Sequence, residues 1–397
     1  MPPGKHAVLS ASGAKRWLSC PPSARLEEKL RERLGLEDTG SSYAREGTKA
    51  HELSELKLRG ETGEMNAYAF SERMKDLERR FGPIDQEMKD ATDFYVGIVM
   101  ERLFEARRTC PDAKLMLETR LDFSPWVPHG FGTGDAIIIG DTLLDVIDLK
   151  YGKGVPVDAV DNPQTRLYML GAINLFGTLY DFQKVRGTIV QPRLDSVTEE
   201  VMDRSDLLEW ADFEVVERAG LAWEGKGEFL PGDHCRFCAA KAVCSARAAA
   251  ALKLFDTGLD APALLPDEQI PEILACAAIA KSWISDLENY AQAQAIRGQS
   301  WPGYKLVRGR SVRSWKNAEE AADNLLRAGY KREDIFKNEL RSVSDIEKKL
   351  GKKNFRTFAE AYVFKPEGAL TLVPDSDKRQ AVNPADADFA DMATPET

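Results

Sequence analysis

Long apolar runs are absent from this sequence, and so is a signal-like N-terminus. No stretch approaches the roughly 18 consecutive apolar residues that a membrane-spanning helix requires. The first residues carry Lys5, Lys15 and Arg16 but no apolar core of the kind that a secretory signal contains. Both absences argue against a membrane protein and predict that the chain works in the cytoplasm.

Cysteine is also scarce, and the chain has no excess of positive charge. The chain has six cysteines in 397 residues, and two of them, Cys110 and Cys276, have no sequence neighbour at metal-ligand spacing. Cytoplasmic thiols stay reduced, so any cysteines that cluster predict metal or redox chemistry rather than disulfides. The formal net charge of −10 excludes a protein that binds nucleic acid over its whole surface. Contact with DNA would then depend on local basic patches or on bound metal ions.

The periodicity of apolar residues predicts an α/β fold. With 43% hydrophobic residues, the chain can bury one large core and support an appended domain. Apolar residues recur at helical spacing up to about residue 108, whereas Ile-, Val- and Leu-rich runs between Leu115 and Lys150 predict strands. A helix near Gln164–Gly177 and strands near Phe182–Pro192 and Val197–Met202 follow. We expect a mixed central sheet flanked by helices, with a helical N-terminal part and a small helical C-terminal region.

Composition divides the chain into four parts. They are a main domain, a helical connection, a small C-terminal domain and an acidic tail, at residues 1–255, 256–300, 301–373 and 374–397. A Pro-containing joint at Asp260–Asp267 opens the connection, and Asn317 and Ser344 each precede a glutamate at capping-box spacing in the small domain. The tail is rich in Pro, Ala and Asp and poor in large apolar residues, which predicts disorder.

An acidic–lysine motif spans two neighbouring predicted strands. Asp135 ends the segment Gly132-Thr-Gly-Asp, and Asp148 and Lys150 follow after a predicted hairpin turn. Residues two apart in a strand share a face, so two carboxylates and a lysine are expected to converge. Phosphodiester hydrolysis uses such a set, because carboxylates hold hard cations and a lysine orients or activates the attacking water. Taken alone, an Asp-x-Lys triplet is equally typical of a solvated strand end.

Two further polar motifs flank this one. Gln164 and Tyr168 are four residues apart on one face of a predicted helix, where they can bind a phosphate or steady a water molecule. The alternative is a helix that merely buries Tyr168 and exposes Gln164. Upstream, His51 is expected in the first turn of a helix that Thr48 caps, although a lone histidine is more often structural.

The ordered series Gly-x-x-x-His, Gly-x-x-Asp, Asp-x-Lys and Gln-x-x-x-Tyr resembles the RecB-type branch of the PD-(D/E)XK nucleases, which also contains lambda exonuclease and the CRISPR adaptation nucleases. The resemblance covers residues 46–168 and implies a restriction-endonuclease-like core. By this resemblance, the ligands of Mg²⁺ or Mn²⁺ are His51, Asp135, Asp148 and the backbone carbonyl of Leu149. The catalytic lysine and its supporting pair are Lys150, Gln164 and Tyr168. Gly134 stands where the family name has Pro, and Glu118 is either an acid behind the ligands or a solvent-facing residue.

Three cysteines, Cys235, Cys238 and Cys244, have a spacing that lets their thiolates converge on one centre. Cys20, far upstream of the nuclease-like motifs, is the candidate for a fourth ligand. One cysteine before the core and three after it resembles the iron–sulfur staple of AddB-type and CRISPR adaptation nucleases. The resemblance implies a structural [4Fe–4S] cluster held by these four residues. Structural Zn²⁺, with His234 in place of Cys20, and a set of free thiols are the alternatives.

A basic aromatic segment, Trp301–Lys316, carries five positive charges and no negative one. Aromatic rings in such a segment can stack on unpaired bases while the cations follow phosphates. The candidate nucleic-acid contacts are Tyr304, Lys305, Arg308, Arg310 and Arg313. The alternative is a solvated edge strand whose aromatic residues pack on the body of the protein.

This basic segment, together with Ser42–His51 and Pro231–Cys238, resembles a phage and prophage family known as a domain of unknown function. Genes of that family tend to accompany recombination and single-strand-binding functions. The resemblances together imply a metal-dependent DNA exonuclease, with DNA and a phage single-strand-binding or annealing protein as partners. Two other functions stay open: a catalytically silent DNA-binding scaffold, and a zinc-stabilised RNA-processing protein.

Overall fold

The structure, a computed structural model, describes residues 7–34, 42–256, 270–309, 313–336, 340–364, 366, 369–374 and 377–382. The chain divides into two compact units, Met1–Asp267 and Glu268–Thr397. The finer division expected from composition stays a prediction. No helix in the described part of the chain is long and apolar enough to cross a bilayer. Expectations outside the described residues concern Arg310, the joint at 260–267, and positions 375–376 and 383–397 of the tail.

Unit 1 begins with a group of helices that the apolar spacing predicts. They are α1 (Ala14–Ser19), α2 (Ser23–Leu34), α3 (Ser42–Glu61), α4 (Ala67–Phe81) and α5 (Gln86–Thr109). The expected cap at Thr48 is wrong, because Thr48 lies inside α3 and its hydroxyl donates to the carbonyl of Ala44 at 3.0 Å. His51 therefore lies within the helix rather than in its first turn.

A five-stranded mixed sheet forms the centre of unit 1, as expected. Its strands are β1 (Lys114–Asp122), β2 (Phe131–Ile139), β3 (Leu143–Leu149), β4 (Lys184–Gln191) and β5 (Ser196–Asp203). They lie in sequence order, with β3 and β4 parallel and the other neighbours antiparallel. Parallel neighbours need a crossover connection, and α6 (Pro163–Phe176) supplies it.

Helices cover both faces of this sheet. In β2, Ile137 and Ile139 pack into one hydrophobic cluster with α6, whereas Ala136 and Ile138 pack into another with α3 and α5. The alternation follows from the two-residue period of a strand. Burial on both faces also explains the continuous apolar run Ala136–Ile139 of β2. The helices that complete unit 1 are α7 (Arg204–Trp210), α8 (Val216–Glu224) and α9 (Ser245–Asp256).

A buried ion pair joins β3 to β4. Asp145 Oδ2 accepts hydrogen bonds from Arg186 Nε at 2.9 Å and Nη2 at 2.6 Å, and Asp145 Oδ1 accepts one from Thr188 Oγ1 at 3.2 Å. The Asp145 side chain is only 2% exposed. Asp145→Ala is expected to lower the free energy of unfolding by about 3–5 kcal/mol, because it leaves the Arg186 charge uncompensated. Urea denaturation of the purified protein measures this change.

The matched control is Asp203→Ala, in the neighbouring β4–β5 pairing. Asp203 pairs with Lys184 at 2.9 Å, but both side chains are more than half exposed. Exposed pairs contribute little, so this variant should unfold almost as the unsubstituted chain does. If Asp145→Ala and Asp203→Ala lower the free energy of unfolding equally, then burial is not the reason that the Asp145 pair stabilises the protein.

Unit 2 contains helices, as expected, and also two small antiparallel ladders. Its helices are α10 (Ile270–Ile296), α11 (Ala318–Arg327), α12 (Arg332–Ile335) and α13 (Val343–Phe358). Its strands are β6 (Tyr304–Arg308), β7 (Ser314–Trp315), β8 (Val363–Phe364) and β9 (Leu370–Pro374), paired β6 with β9 and β7 with β8. Asn317 caps α11 as predicted, whereas the cap expected at Ser344 is wrong because Ser342 caps α13.

Candidate metal centre and cysteine site

Two carboxylates and a lysine gather beside the carboxyl end of β3. Asp135 Oδ2 accepts a hydrogen bond from the backbone amide of Leu149 at 2.7 Å. Asp148 Oδ2 lies 2.8 Å from Lys150 Nζ, and the Asp148 side chain is 5% exposed. The geometry therefore brings Asp135, Asp148 and Lys150 together, as the strand period predicts. Their chemical roles, and that of the Leu149 carbonyl, remain predictions.

The side-chain amide of Gln164, in the first turn of α6, lies beside Asp148 and Lys150. Asn162 caps the helix by accepting from the amides of Gln164 and Thr165, which fixes the first turn. Gln164 Oε1 accepts from Lys150 Nζ at 3.1 Å, and Gln164 Nε2 donates to Asp148 Oδ1 at 3.2 Å. Gln164 thus faces the carboxylates rather than solvent.

Tyr168 follows Gln164 along this face of α6, with its hydroxyl 3.5 Å from Gln164 Nε2. Burial raises the pKa of Tyr168, and the charges of Asp148 and Asp135 raise it further. The ring needs the bare backbone of Gly132, since a Cβ atom there would lie 2.6 Å from Tyr168 Cε1. The Gly132-Thr-Gly-Asp segment therefore makes room for the tyrosine as well as delivering Asp135.

His51 reaches the centre from α3, with Nδ1 lying 3.1 Å from Asp135 Oδ1. Burial lowers the pKa of His51, but the charge and hydrogen bond of Asp135 and the charge of Asp148 outweigh burial and raise it to about 9. Burial tends to raise the pKa of Asp135, yet His51, the Leu149 amide and Lys150 hold it below its usual value. The two side chains therefore form an imidazolium–carboxylate pair in the metal-free protein.

Glu118 is the acid that the sequence left open, and it belongs to this group. Ligand atoms of His51, Glu118 and Asp135 all lie within 4.8 Å of one another. Burial and the nearby Asp135 charge raise the pKa of Glu118 to about 7. Its place across from Asp135 follows from the pairing of β1 with β2. The signal that could have identified Glu118 from the sequence is the register of the β1–β2 hairpin.

These donors fit the divalent ion that the resemblance implies. Carboxylate oxygens suit Mg²⁺ and Mn²⁺, and imidazole is a common additional ligand for transition ions. Asp148 Oδ2 is buried and lacks a well-directed hydrogen bond in the described part of the chain, although Lys150 Nζ lies close. A cation would satisfy this oxygen. His51, Asp135 and Asp148 would be its side-chain ligands. Of these three, His51 and Asp135 belong to the group whose ligand atoms lie within 4.8 Å of one another, whereas Asp148 lies outside that group.

The four predicted cysteines line a single cavity. Cys20, Cys235, Cys238 and Cys244 all contribute to its wall. Burial, the largest cause, and the neighbouring Glu27 raise the pKa of Cys238 to about 12. A thiolate at this position therefore needs a compensating cation. A metal centre bound by all four sulfurs is consistent with that need.

Contacts around the cavity connect the two flanks of the main fold. Arg16 Nη2 forms a 2.9 Å ion pair with Glu27, and Glu27 Oε1 accepts a hydrogen bond from the amide of Ala239. Leu30 packs with Cys238 in a small hydrophobic cluster. The segment that carries Cys20 is thus attached to the cysteine loop by side-chain contacts as well as by any shared cluster.

The spacing of the sulfurs bears on zinc as an alternative. Thiolates on tetrahedral zinc, with Zn–S bonds of about 2.3 Å, lie roughly 4 Å apart. Among the described residues, groups of three or more ligands within 4.8 Å are His51 with Glu118 and Asp135, and Cys110 with Asp112 and Asp141. No three of the four cavity cysteines, all of them described residues, have their sulfurs this close to one another. Cys110, without partners in sequence, thus has two carboxylate neighbours in space.

The basic segment is only partly available for nucleic acid. Tyr304 is exposed in β6, where Lys305 and Arg308 also lie. Arg313 forms an ion pair with Glu347 and covers the ring of Phe355 at 5.5 Å. The tryptophans of this segment pack inward, and Trp315 donates to the carbonyl of Arg341 at 3.2 Å. Arg313 and Trp315 therefore follow the edge-strand alternative.

A family model described as "Protein of unknown function (DUF2800)" matches residues 6–380. The chain belongs to the DUF2800 family. This membership confirms the resemblance to a family of unknown function, and it assigns no activity. The matched part of the DUF2800 chain contains both the group of His51, Glu118 and Asp135 and the four cavity cysteines.

Among solved structures, the DUF2800 chain is similar to one named "Crystal structure of SSO0001". The sequences are 15% identical, and the similarity covers 50% of this chain and 85% of that one. The TM-score is 0.21, which carries no argument about fold or function. Proposals for the DUF2800 chain therefore depend on its own residues.

Proposed function

We propose that this chain is a metal-dependent deoxyribonuclease of the PD-(D/E)XK class that hydrolyses phosphodiester bonds at DNA ends. The observation that carries the proposal is the convergence of Asp135, Asp148 and Lys150 beside the end of β3. The hairpin β2–β3 followed by the crossover helix α6 supports the class assignment, since one hairpin supplies both carboxylates and α6 supplies Gln164. The preference for an exonuclease over an endonuclease rests on the resemblance.

The metal ion and Lys150 would have different roles in the proposed reaction. Mg²⁺ or Mn²⁺ bound there would polarise the scissile phosphate and lower the pKa of a water molecule. Lys150 Nζ is fixed between Asp148 and Gln164 Oε1, so its ammonium is positioned to orient the attacking water or a phosphate oxygen. Attack on phosphorus opposite the sugar oxygen breaks the P–O bond, and the departing oxygen takes up a proton.

The cysteine cavity supports a second component of the proposal, a structural [4Fe–4S] cluster. All four cysteines line one cavity, and no three of their sulfurs lie within 4.8 Å of one another, whereas thiolates on tetrahedral zinc lie roughly 4 Å apart. His234 also lines the cavity, and its Nε2 lies 2.9 Å from the carbonyl oxygen of Leu230, so Nδ1 is the nitrogen that a zinc ion would have to use. A phage single-strand-binding or annealing partner is a proposal from the resemblance alone, and the cytoplasmic location is a proposal from the sequence.

Digestion of end-labelled DNA tests the proposed function. Linear, nicked and covalently closed circular DNA, labelled at the 5′ or the 3′ end where ends exist, is incubated with Mn²⁺, with Mg²⁺ or with EDTA. The expected result is loss of linear DNA only in the presence of a divalent ion, with closed circles intact. Binding without digestion would favour the silent scaffold, and digestion of RNA instead of DNA would favour RNA processing.

A further inference from the structure

Glu118 of β1 and Asp135 of β2 lie between two paired positions of the β1–β2 ladder. On either side of them, Leu117 pairs with Ala136 and Thr119 pairs with Gly134, so the same register sets Glu118 opposite Asp135. Directly opposed residues of antiparallel strands project to the same face. The strand thus aligns two carboxylates side by side, and Glu118 is half-buried.

This arrangement is unfavourable in the protein without a bound cation. Like charges directly opposite each other destabilise a sheet, and burial strengthens their repulsion. Glu118 also has φ of +46°, a left-handed conformation in the middle of a strand that non-glycine residues adopt at a cost. Two unfavourable features at one residue require a compensating interaction.

His51 supplies only part of that compensation. Its imidazole bonds Asp135 at 3.1 Å, whereas Glu118 accepts no hydrogen bond that the structure describes. One nitrogen and two carboxylates with ligand atoms within 4.8 Å of one another are a donor set for a divalent cation, and Mn²⁺ accepts such mixed N and O ligands.

We infer that Glu118 is a further protein ligand of the divalent ion at His51 and Asp135. The inference deepens the proposed function, on which it rests, by adding a carboxylate from β1 to ligands that otherwise come from α3, β2 and β3. The left-handed backbone at Glu118 then serves to turn its carboxylate toward the ion. An ion held from β1 as well would be bound more tightly than one held by the predicted ligands alone.

Mn²⁺ binding to the purified full chain tests the inference, with free Mn²⁺ measured by electron paramagnetic resonance. Glu118→Gln keeps the shape of the side chain, and Glu118→Gly suits the left-handed backbone if glutamine perturbs it. Both are expected to weaken binding by about 10-fold or more. Asp135→Asn defines the background from other groups, including Cys110 with its two aspartates.

Glu55→Gln is the matched control. Glu55 lies on α3 near Glu118, carries the same charge and pairs with Arg59 at 2.8 Å. Its loss should change Mn²⁺ affinity less than about fivefold, as for other partly exposed charges. Equal weakening by Glu55→Gln and Glu118→Gln would overturn the inference, because the effect would then come from charge alone.

Thermal denaturation gives an independent readout. In EDTA, Glu118→Gln should melt at a higher temperature than the unsubstituted chain, because the repulsion from Asp135 is gone. Added Mn²⁺ should raise the melting temperature of the variant less than that of the unsubstituted chain. If the unsubstituted chain digests DNA and the Glu118→Gln variant binds Mn²⁺ with normal affinity, this inference is overturned and the proposed function is not. An unsubstituted chain that binds no Mn²⁺ would overturn it together with the proposed function.

Discussion

Asp148→Asn is expected to reduce metal-dependent cleavage of linear DNA by about a thousandfold or more while leaving the protein folded. Asp148 approaches Lys150 at 2.8 Å and accepts from Gln164 at 3.2 Å, so one substitution removes a proposed metal ligand and the partner of the lysine. Losing a single preorganised electrostatic contact typically costs a factor of 10²–10³ in rate, and here two are lost. Initial rates at saturating Mn²⁺ measure the effect.

Stability should not fall with activity in this variant. Burial raises the pKa of Asp148 despite the opposing charge of Lys150, which means that its ionised form is poorly solvated in the fold. Asparagine removes that charge and keeps the size of the side chain. Circular dichroism should therefore show a melting temperature close to that of the unsubstituted chain.

Asp203→Asn provides the control, since Asp203 is an exposed acid at the end of β5. It is expected to cleave DNA at the normal rate. Cleavage by Asp148→Asn at a comparable rate would contradict the proposed function. A folded variant without cleavage, beside an active Asp203→Asn, is the result that supports it.

The sequence predicts the sheet and the convergence of the acidic–lysine motif because both depend on short-range rules. The two-residue period of a strand is enough to set Asp148 and Lys150 on one face, and a four-residue helical step is enough to align Gln164 with Tyr168. The strands themselves follow from runs of Ile, Val and Leu that are buried on both faces.

Features that depend on competing local choices or on long-range register are harder to predict. Thr48 and Ser344 both have side chains that can cap a helix. However, α3 already begins at Ser42 and α13 already begins at Val343. Glu118 required the register of β1 on β2 and an uncommon backbone conformation. Neither follows from spacing within a single segment.

The same reasoning applies to the cysteines, whose spacing in sequence gives three ligands but not the fourth. Cys20 lies beside Cys235, Cys238 and Cys244 because α1 and α2 pack against the cysteine loop and α8. Arg25 of α2, for example, donates to the carbonyl of Trp223 at 2.6 Å and stacks over its ring. Contacts of this kind cannot be deduced from the interval between Cys20 and Cys235.

Cys20→Ser is expected to remove the iron–sulfur cluster and to lower the free energy of unfolding by roughly 4–5 kcal/mol. A disulfide that closes a loop of about 100 residues stabilises a protein by about 4.7 kcal/mol through chain entropy alone. A cluster that joins Cys20 to the loop at Cys235 closes a longer segment, so its effect should be at least similar. The hydrogen bond from the Ala239 amide to Glu27 still links the two flanks in the variant, so soluble protein should form. Iron and sulfide per chain, after purification without oxygen, measure cluster content.

Two matched variants separate the cluster from its alternatives. His234→Ala should keep iron and colour, because the four cavity cysteines hold the proposed cluster without the imidazole. Cys110→Ser makes the same exchange at a buried cysteine outside the cavity, and it should also remain brown. If the site instead holds zinc through His234, then the unsubstituted protein is colourless and contains zinc. In that case His234→Ala loses the metal while Cys20→Ser keeps it, because the histidine rather than the upstream cysteine would complete the tetrahedron.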